Sequence, residues 1–98
     1  MGKYRLTNLA VQDLSDIWNY TFDHWSERQA DIYHEQLTNT IESIAMNQLQ
    51  GRNYEGIRRD LFGFKVNRHI VFYRIISNEL VEITRILHER MDLKNRLK

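Results

Sequence analysis

His69-Ile70-Val71-Phe72-Tyr73-Arg74-Ile75-Ile76 is the stretch that decides the fold. Side chains alternate between faces along a strand, so Ile70, Phe72 and Ile76 fall on one side and Val71, Tyr73 and Ile75 on the other. Both sides are apolar, and a strand of that kind is normally covered on both. Downstream, Ile75-Ile76-Ser77-Asn78-Glu79-Leu80-Val81 reads as a tight hairpin connection in which Asn78 tolerates positive φ. A second strand then runs from Leu80 to Leu87. Upstream, Phe62-Gly63-Phe64-Lys65-Val66 reads as a third.

Further out, the apolar period changes from that of strands to that of helices. Val11, Leu14, Ile17, Trp18, Phe22 and Trp25 recur at spacings of three and four and predict one apolar stripe, with both tryptophans in the core or Trp25, near the helix end, partly exposed. Thr7 or Asn8 caps this helix, and Asp13 and Asp16 lie near its positive end. Ser26-Glu27-Arg28-Gln29 fits a capping box and opens a second helix, whose stripe is Ala30, Tyr33, Leu37, Ile41, Ile44 and Ala45. Gly51 is its expected stop. So short a connection forces an antiparallel helical hairpin. Before it, Lys3 to Thr7 alternates polar residues with Tyr4 and Leu6 as a short opening strand. The polar, basic tail from Glu89 to Lys98 suits a short helix.

The expected fold is therefore α+β in the order β-α-α-β-β-β, one domain over residues 1–98, with a three-stranded antiparallel sheet. One helical hairpin covers one sheet face. The second apolar face is then either left for a partner or shielded by the chain's own C-terminal segment and the sheet's twist.

Composition narrows the classes of function. There is no cysteine, which removes disulfides, thiolate nucleophiles and thiolate metal sites. No apolar run approaches the ~18–20 residues of a membrane span, and Met1 to Leu6 lacks the apolar stretch of a signal peptide, so a cytoplasmic protein without a membrane partner is expected. Net charge is +1, unevenly spread. Residues 1–50 carry three basic and seven acidic groups, and residues 51–98 carry eleven basic and six acidic ones. Either the basic half meets a negatively charged partner, or the strands simply hold more cations than the helices do.

The order of elements, with the motifs inside them, resembles the RelE/ParE superfamily of toxins from type II toxin–antitoxin pairs. Ala10-Val11-Gln12-Asp13-Leu14-Ser15-Asp16-Ile17 looks like the family's Ala-x-x-Asp-Leu-x-x-Ile opening. Ile57-Arg58-Arg59-Asp60-Leu61-Phe62 and His69 to Arg74 continue the likeness. Arg85-Ile86-Leu87-His88-Glu89-Arg90-Met91-Asp92 is similar to the ending of the ParE branch. The likeness runs over roughly residues 4 to 92. It implies a toxin that inhibits DNA gyrase by direct binding, serves plasmid stabilisation, is neutralised by a cognate ParD-like antitoxin, and makes no sequence-specific DNA contact of its own. The residues it offers for target or antitoxin binding are Arg58, Arg59, Arg68, Tyr73, Arg85, His88, Met91 and Asp92.

The superfamily's RelE branch implies the alternative, a ribosome-dependent mRNA endonuclease. Metal-free RNA cleavage needs a base, an acid and cations around the phosphate. His88, with Arg85 and Arg68, is the candidate set, because an imidazole titrates near neutrality. No aromatic residue follows Tyr73, however, and Asp92 puts a carboxylate where a phosphate site favours cations. These departures favour a binding inhibitor without cofactor or catalytic residues. His24, His34, His69 and His88 show no metal-ligand spacing, and Gly51, Gly56 and Gly63 are too scattered for a phosphate loop. Arg85, counted along its strand, falls beside Val81, Ile83 and Leu87. An arginine on an apolar face needs a partner, and Asp60, Glu82 or an antitoxin carboxylate would serve.

Overall fold

A computed structural model describes residues 2–97. The chain runs β1 (Lys3–Leu6), α1 (Asn8–His24), α2 (Glu27–Met46), β2 (Arg52–Asn53), β3 (Phe62–Val66), β4 (His69–Ser77), β5 (Leu80–His88) and α3 (Leu93–Arg96). The strands form one mixed five-stranded sheet in the order β1-β5-β4-β3-β2. The sheet is thus larger than the three strands expected. The opening strand joins it parallel to β5, with Lys3 opposite Leu80 and Leu6 opposite Ile83, and Arg52–Asn53 adds a two-residue edge.

Both helix starts follow from their caps. Thr7 accepts the Ala10 amide at 3.1 Å, and Ser26 accepts the Gln29 amide at 3.0 Å. Each bond satisfies one of the amides that a helix start leaves without an internal partner. The second helix stops at Met46, before the expected glycine. Gly51 has a different task. Its amide donates to the Tyr73 hydroxyl at 3.0 Å, and a Cβ there would overlap the Tyr73 ring.

Leu37, Ile41 and Ile44 of α2 pack with Val71, Tyr73, Val81, Ile83 and Ile86 on one face of the sheet. From α1 the inner contributors are Ala10, Leu14 and Ile17. The single stripe read from the sequence is corrected here: Val11, Phe22 and Trp25 are exposed, Trp25 by 75%. At about 100° per residue, the Val11–Trp18–Phe22–Trp25 line is centred about 80° around the helix from the Ala10–Leu14–Ile17–Thr21 line. Only the second faces the sheet.

The opposite sheet face is closed by the chain itself. Leu61, Ile70, Phe72, Leu87 and Leu97 form a second core, with Tyr54, Ile57 and Leu93 packed against it. Tyr54 meets Phe72 edge-on, with ring centroids 5.2 Å apart. Gly63 permits this, since a Cβ there would stand 2.7 Å from the Tyr54 ring. The segment before β3 and the C-terminal tail therefore supply the cover, and Phe72 and Leu97 each contribute about 2 kcal/mol by leaving water. The idea of an apolar sheet face left open for a partner is overturned.

Two irregularities reset the strand pattern. The β4–β5 register slips between Phe72 and Tyr73, skipping Thr84, and again between Ile75 and Ser77, skipping Ile76. A bulge moves every later side chain to the opposite face. Ile83 and Ile86 consequently share the helix-side core while Leu87 joins the reverse one. The face assigned to Arg85 by simple alternation is wrong for the same reason. Among the described residues, the non-glycine positive φ angles are at Asp60 (59°) and Asn67 (53°). The left-handed turn residue is thus Asn67, between β3 and β4, and not Asn78.

Candidate functional site

Beyond Ile83, β5 has lost β1 as a neighbour, so its outer edge would be left with unpaired backbone groups. The start of α1 supplies replacements. The Thr7 hydroxyl donates to the Thr84 carbonyl at 2.8 Å. One oxygen of Asp13 accepts the Ile86 amide at 2.9 Å. The same carboxylate takes a two-pronged contact from Arg85, with Nε 2.8 Å from Oδ2 and Nη2 2.9 Å from Oδ1. Arg85 also donates to the Arg96 carbonyl at 3.4 Å, tying the tail to the same point. The bond to Asp13 pushes the Arg85 pKa above its ordinary value, against the opposing effect of burial. Asp13 is thus an internal partner and not a helix-end charge. It, rather than Asp60, Glu82 or an external carboxylate, balances Arg85.

Next to this pair lies a cleft of about 520 Å³ between the α1–α2 connection and the β3–β4 turn, lined in part by Tyr20, Trp25, Tyr33, Arg68, His69 and His88. Tyr33 fixes its floor. The Tyr33 hydroxyl stands 3.1 Å from the Val66 carbonyl and 2.6 Å from His69 Nδ1. One phenolic hydrogen serves both contacts when it goes to Val66 and His69 Nδ1–H donates to the oxygen. That tautomer leaves His69 Nε2 as an acceptor. Burial, with His88 close by, pushes the His69 pKa down to about 4, so the ring is neutral at physiological pH. Burial likewise pushes Tyr33 up to about 12. The two imidazoles meet edge-on at 5.3 Å, and His88 Nδ1 accepts the Arg90 amide at 3.1 Å.

A third feature is the outer flank of the helical hairpin. Val11, Leu14 and Trp18 line a groove with Asp31 and His34 of α2. Trp18 donates to Asp31 at 3.0 Å and stacks on Phe22 with centroids 5.2 Å apart. Val11 is 54% and Phe22 45% exposed.

The residues singled out from the sequence do not form one site. Arg68 and His88 meet in the large cleft, joined by His69 and Tyr33, which the sequence reading did not select. Arg85, His88 and Met91 border a smaller hollow of about 130 Å³ with Asp13 and Arg96. Arg59 is exposed, and Arg58 reaches the Leu97 carbonyl at 3.5 Å. Asp92 accepts from Asn95 at the start of α3. Tyr73, expected at a binding surface, is instead fully buried and donates to the Gln48 carbonyl at 2.7 Å, so it is part of the core. The apolar flank on α1 was hidden by a choice of stripe. Its signal was the small Ala10 and polar Thr21 on the line that faces the sheet, where little room is left.

A helical hairpin on one face of a mixed sheet, with the reverse face sealed by loop and tail, defines a small α+β class already seen in a solved structure. That structure, described as "Chromosomal ParDE TA system from P. aeruginosa", superposes with a TM-score of 0.77 over 90% of this chain and 96% of that one. At 14% identity this likeness concerns the fold alone. The sequence goes further. The profile of the family described as "ParE toxin of type II toxin-antitoxin system, parDE" matches residues 4–93. Toxin ParE1 of Caulobacter vibrioides is 38% identical over 97 residues, spanning 99% of both chains. Toxin ParE1 of Mycobacterium tuberculosis is 33% identical over 96 residues and 98% of both. The chain belongs to the ParE toxin family of type II toxin–antitoxin systems.

Proposed function

We propose that this chain inhibits DNA gyrase by direct binding and is held inactive by a cognate antitoxin of ParD-like type. The observation that carries the reading is kinship with ParE toxins along the whole chain, from residue 4 to residue 93. Gyrase as the target follows from the resemblance of the Arg85–Asp92 ending to the ParE branch. A partner antitoxin is supported by the two-component description of the structural neighbour and by the apolar flank of α1.

The surface offered to the antitoxin is the groove of Val11, Leu14 and Trp18, extended by Phe22. Apolar side chains in such a row suit the apolar anchors of an amphipathic segment. The reverse sheet face is excluded from this role, because the chain's own tail occupies it. On this reading Arg85 is structural. Arg59 and Met91 remain outward-facing candidates for the target, since both are exposed.

The test is a supercoiling reaction with purified gyrase and antitoxin-free protein. Loss of supercoiling, with cleaved DNA accumulating, is the expected result. Intact supercoiling combined with cleavage of ribosome-bound mRNA would overturn the proposal in favour of the endonuclease branch. Expression without antitoxin should also stop growth; a harmless product would remove both toxin readings.

A further inference from the structure

The cleft beside His69 has a chemical character that antitoxin binding on the α1 flank does not use. No aspartate or glutamate lines it, in a chain with thirteen acidic residues. One wall carries Tyr20 and Trp25, exposed by 61% and 75%. Tyr20 is stacked on His24 on one side, with ring centroids 3.9 Å apart, so its other face and the Trp25 indole are the surfaces open to a planar ligand. Arg68 stands at the rim with its side chain 67% exposed. Among the described residues its carboxylate neighbour is Glu89, 3.8 Å away, which sits closer to Lys65 at 2.8 Å. An exposed pairing of that length holds little energy and leaves the guanidinium able to take another anion.

The cleft is also held in shape before any ligand arrives. Tyr33 grips the turn at Val66 and His69, and Asn67 donates to Gln36 of α2 at 3.0 Å. Fixing the turn in advance reduces the ordering that binding would otherwise require. His69 and His88 add two imidazoles meeting edge-on at 5.3 Å. Together the site presents π-faces, a guanidinium and a pair of imidazoles. A volume of about 520 Å³ suits one planar ring system with its attached group.

We propose that this cleft binds a nucleotide unit, its base against Trp25 and Tyr20 and its phosphate at Arg68. Stacking on aromatic side chains requires an unpaired base, so the ligand is a single-stranded segment or a free nucleotide and not duplex. An acidic peptide would satisfy Arg68 but would leave the Trp25 indole and the free face of Tyr20 unused. The inference goes beyond gyrase inhibition and does not rest on it. The cleft and the Val11 groove share no lining residue, so each can be disabled alone.

The probes are oligothymidylate and oligouridylate of about 12 nucleotides, adenosine monophosphate, a DNA duplex and a poly-glutamate peptide. Binding is read by tryptophan fluorescence and by backbone amide shifts at Arg68 and Asn67 in the intact chain. Single strands are expected to bind, with affinity falling as salt rises. Trp25→Leu and Arg68→Gln should each weaken binding by about tenfold, while Val11→Asp leaves it unchanged. Both altered side chains are exposed, so neither change threatens folding, and circular dichroism verifies it. A strand that binds far more tightly than the monophosphate identifies a nucleic-acid segment as the ligand; equal affinities identify a free nucleotide. The proposal is overturned if no nucleotide shifts the Arg68 amide, if both variants bind as well as the parent, or if the peptide alone binds.

Discussion

Asp13 and Arg85, 72 positions apart in the chain, join the first helix to the last strand through two hydrogen bonds of 2.8 and 2.9 Å. Two of the four sequence motifs that carry the family likeness, one opening with Ala10 and one with Arg85, are thereby connected. Their shared task is architectural. They finish the edge of β5 where β1 ends.

Removing either member should show the asymmetry of a buried pair. Asp13→Ala strands both the guanidinium and the Ile86 amide, and is expected to cost about 3 kcal/mol in urea unfolding. Arg85→Ala leaves the Ile86 bond in place and should cost about 2 kcal/mol. A coupling of 1 kcal/mol or more, roughly, is expected from the double-mutant cycle. Additive losses would show that the two side chains do not act as a unit.

The tail should act as part of the core. Leu97 is 2% exposed against Ile70, Phe72 and Leu87. Leu97→Ala is expected to cost about 2 kcal/mol, the lower end for a buried leucine. Deleting residues 93–98 should expose the reverse face and be seen as dye binding and self-association in light scattering. A truncated chain as monomeric and stable as the parent would contradict the sealed face.

Gly51 should resist change. Its amide bonds to Tyr73, and a methyl group there would strike the same ring. Gly51→Ala is expected to cost about 1–3 kcal/mol by overpacking, measured by thermal unfolding. Partial rescue in the Gly51→Ala, Tyr73→Phe pair would trace the loss to that contact.

Acid should weaken the fold through His69. The unfolded chain takes up a proton near the ordinary value of 6.5, whereas the folded ring does so only at about 4. The contribution of His69 is therefore fully present above about pH 6.5 and declines as pH falls toward 4. The urea midpoint of the parent should drop over that window more steeply than that of His69→Gln. Parallel curves would mean that the ring titrates normally.

The fold was legible where period and capping agreed. Thr7, Ser26, the α2 stripe and the three strands of the Phe62–His88 region were all readable, because each rests on local geometry. What escaped depended on distant partners. The bulge at Thr84 shows only when β5 lies against β4, and it turned a correct alternation rule into a wrong face for Arg85. The α1 stripe erred because apolar character alone does not say which of two adjacent lines meets the sheet. The large aromatic residues drew the reading to the outer line, while Ala10 and Thr21 mark the inner one. The alternatives for the second face of β4 were both in view, and Leu97 shows that the tail takes that place. Among the candidate site residues, Arg68 and His88 do share a cleft, but Tyr33 and His69 join them only through the packing of α2 on the β3–β4 turn.

The most direct test is a hydroxyl-radical footprint of the chain alone and in complex with the product of an adjacent antitoxin-like reading frame. Val11, Trp18 and Phe22 should be oxidised in the free chain and protected in the complex, with Ile70, Phe72 and Leu87 protected in both. Oxidation of Val11, Trp18 and Phe22 that is unchanged by the antitoxin, or a reverse face that reacts freely until the antitoxin arrives, would contradict the account.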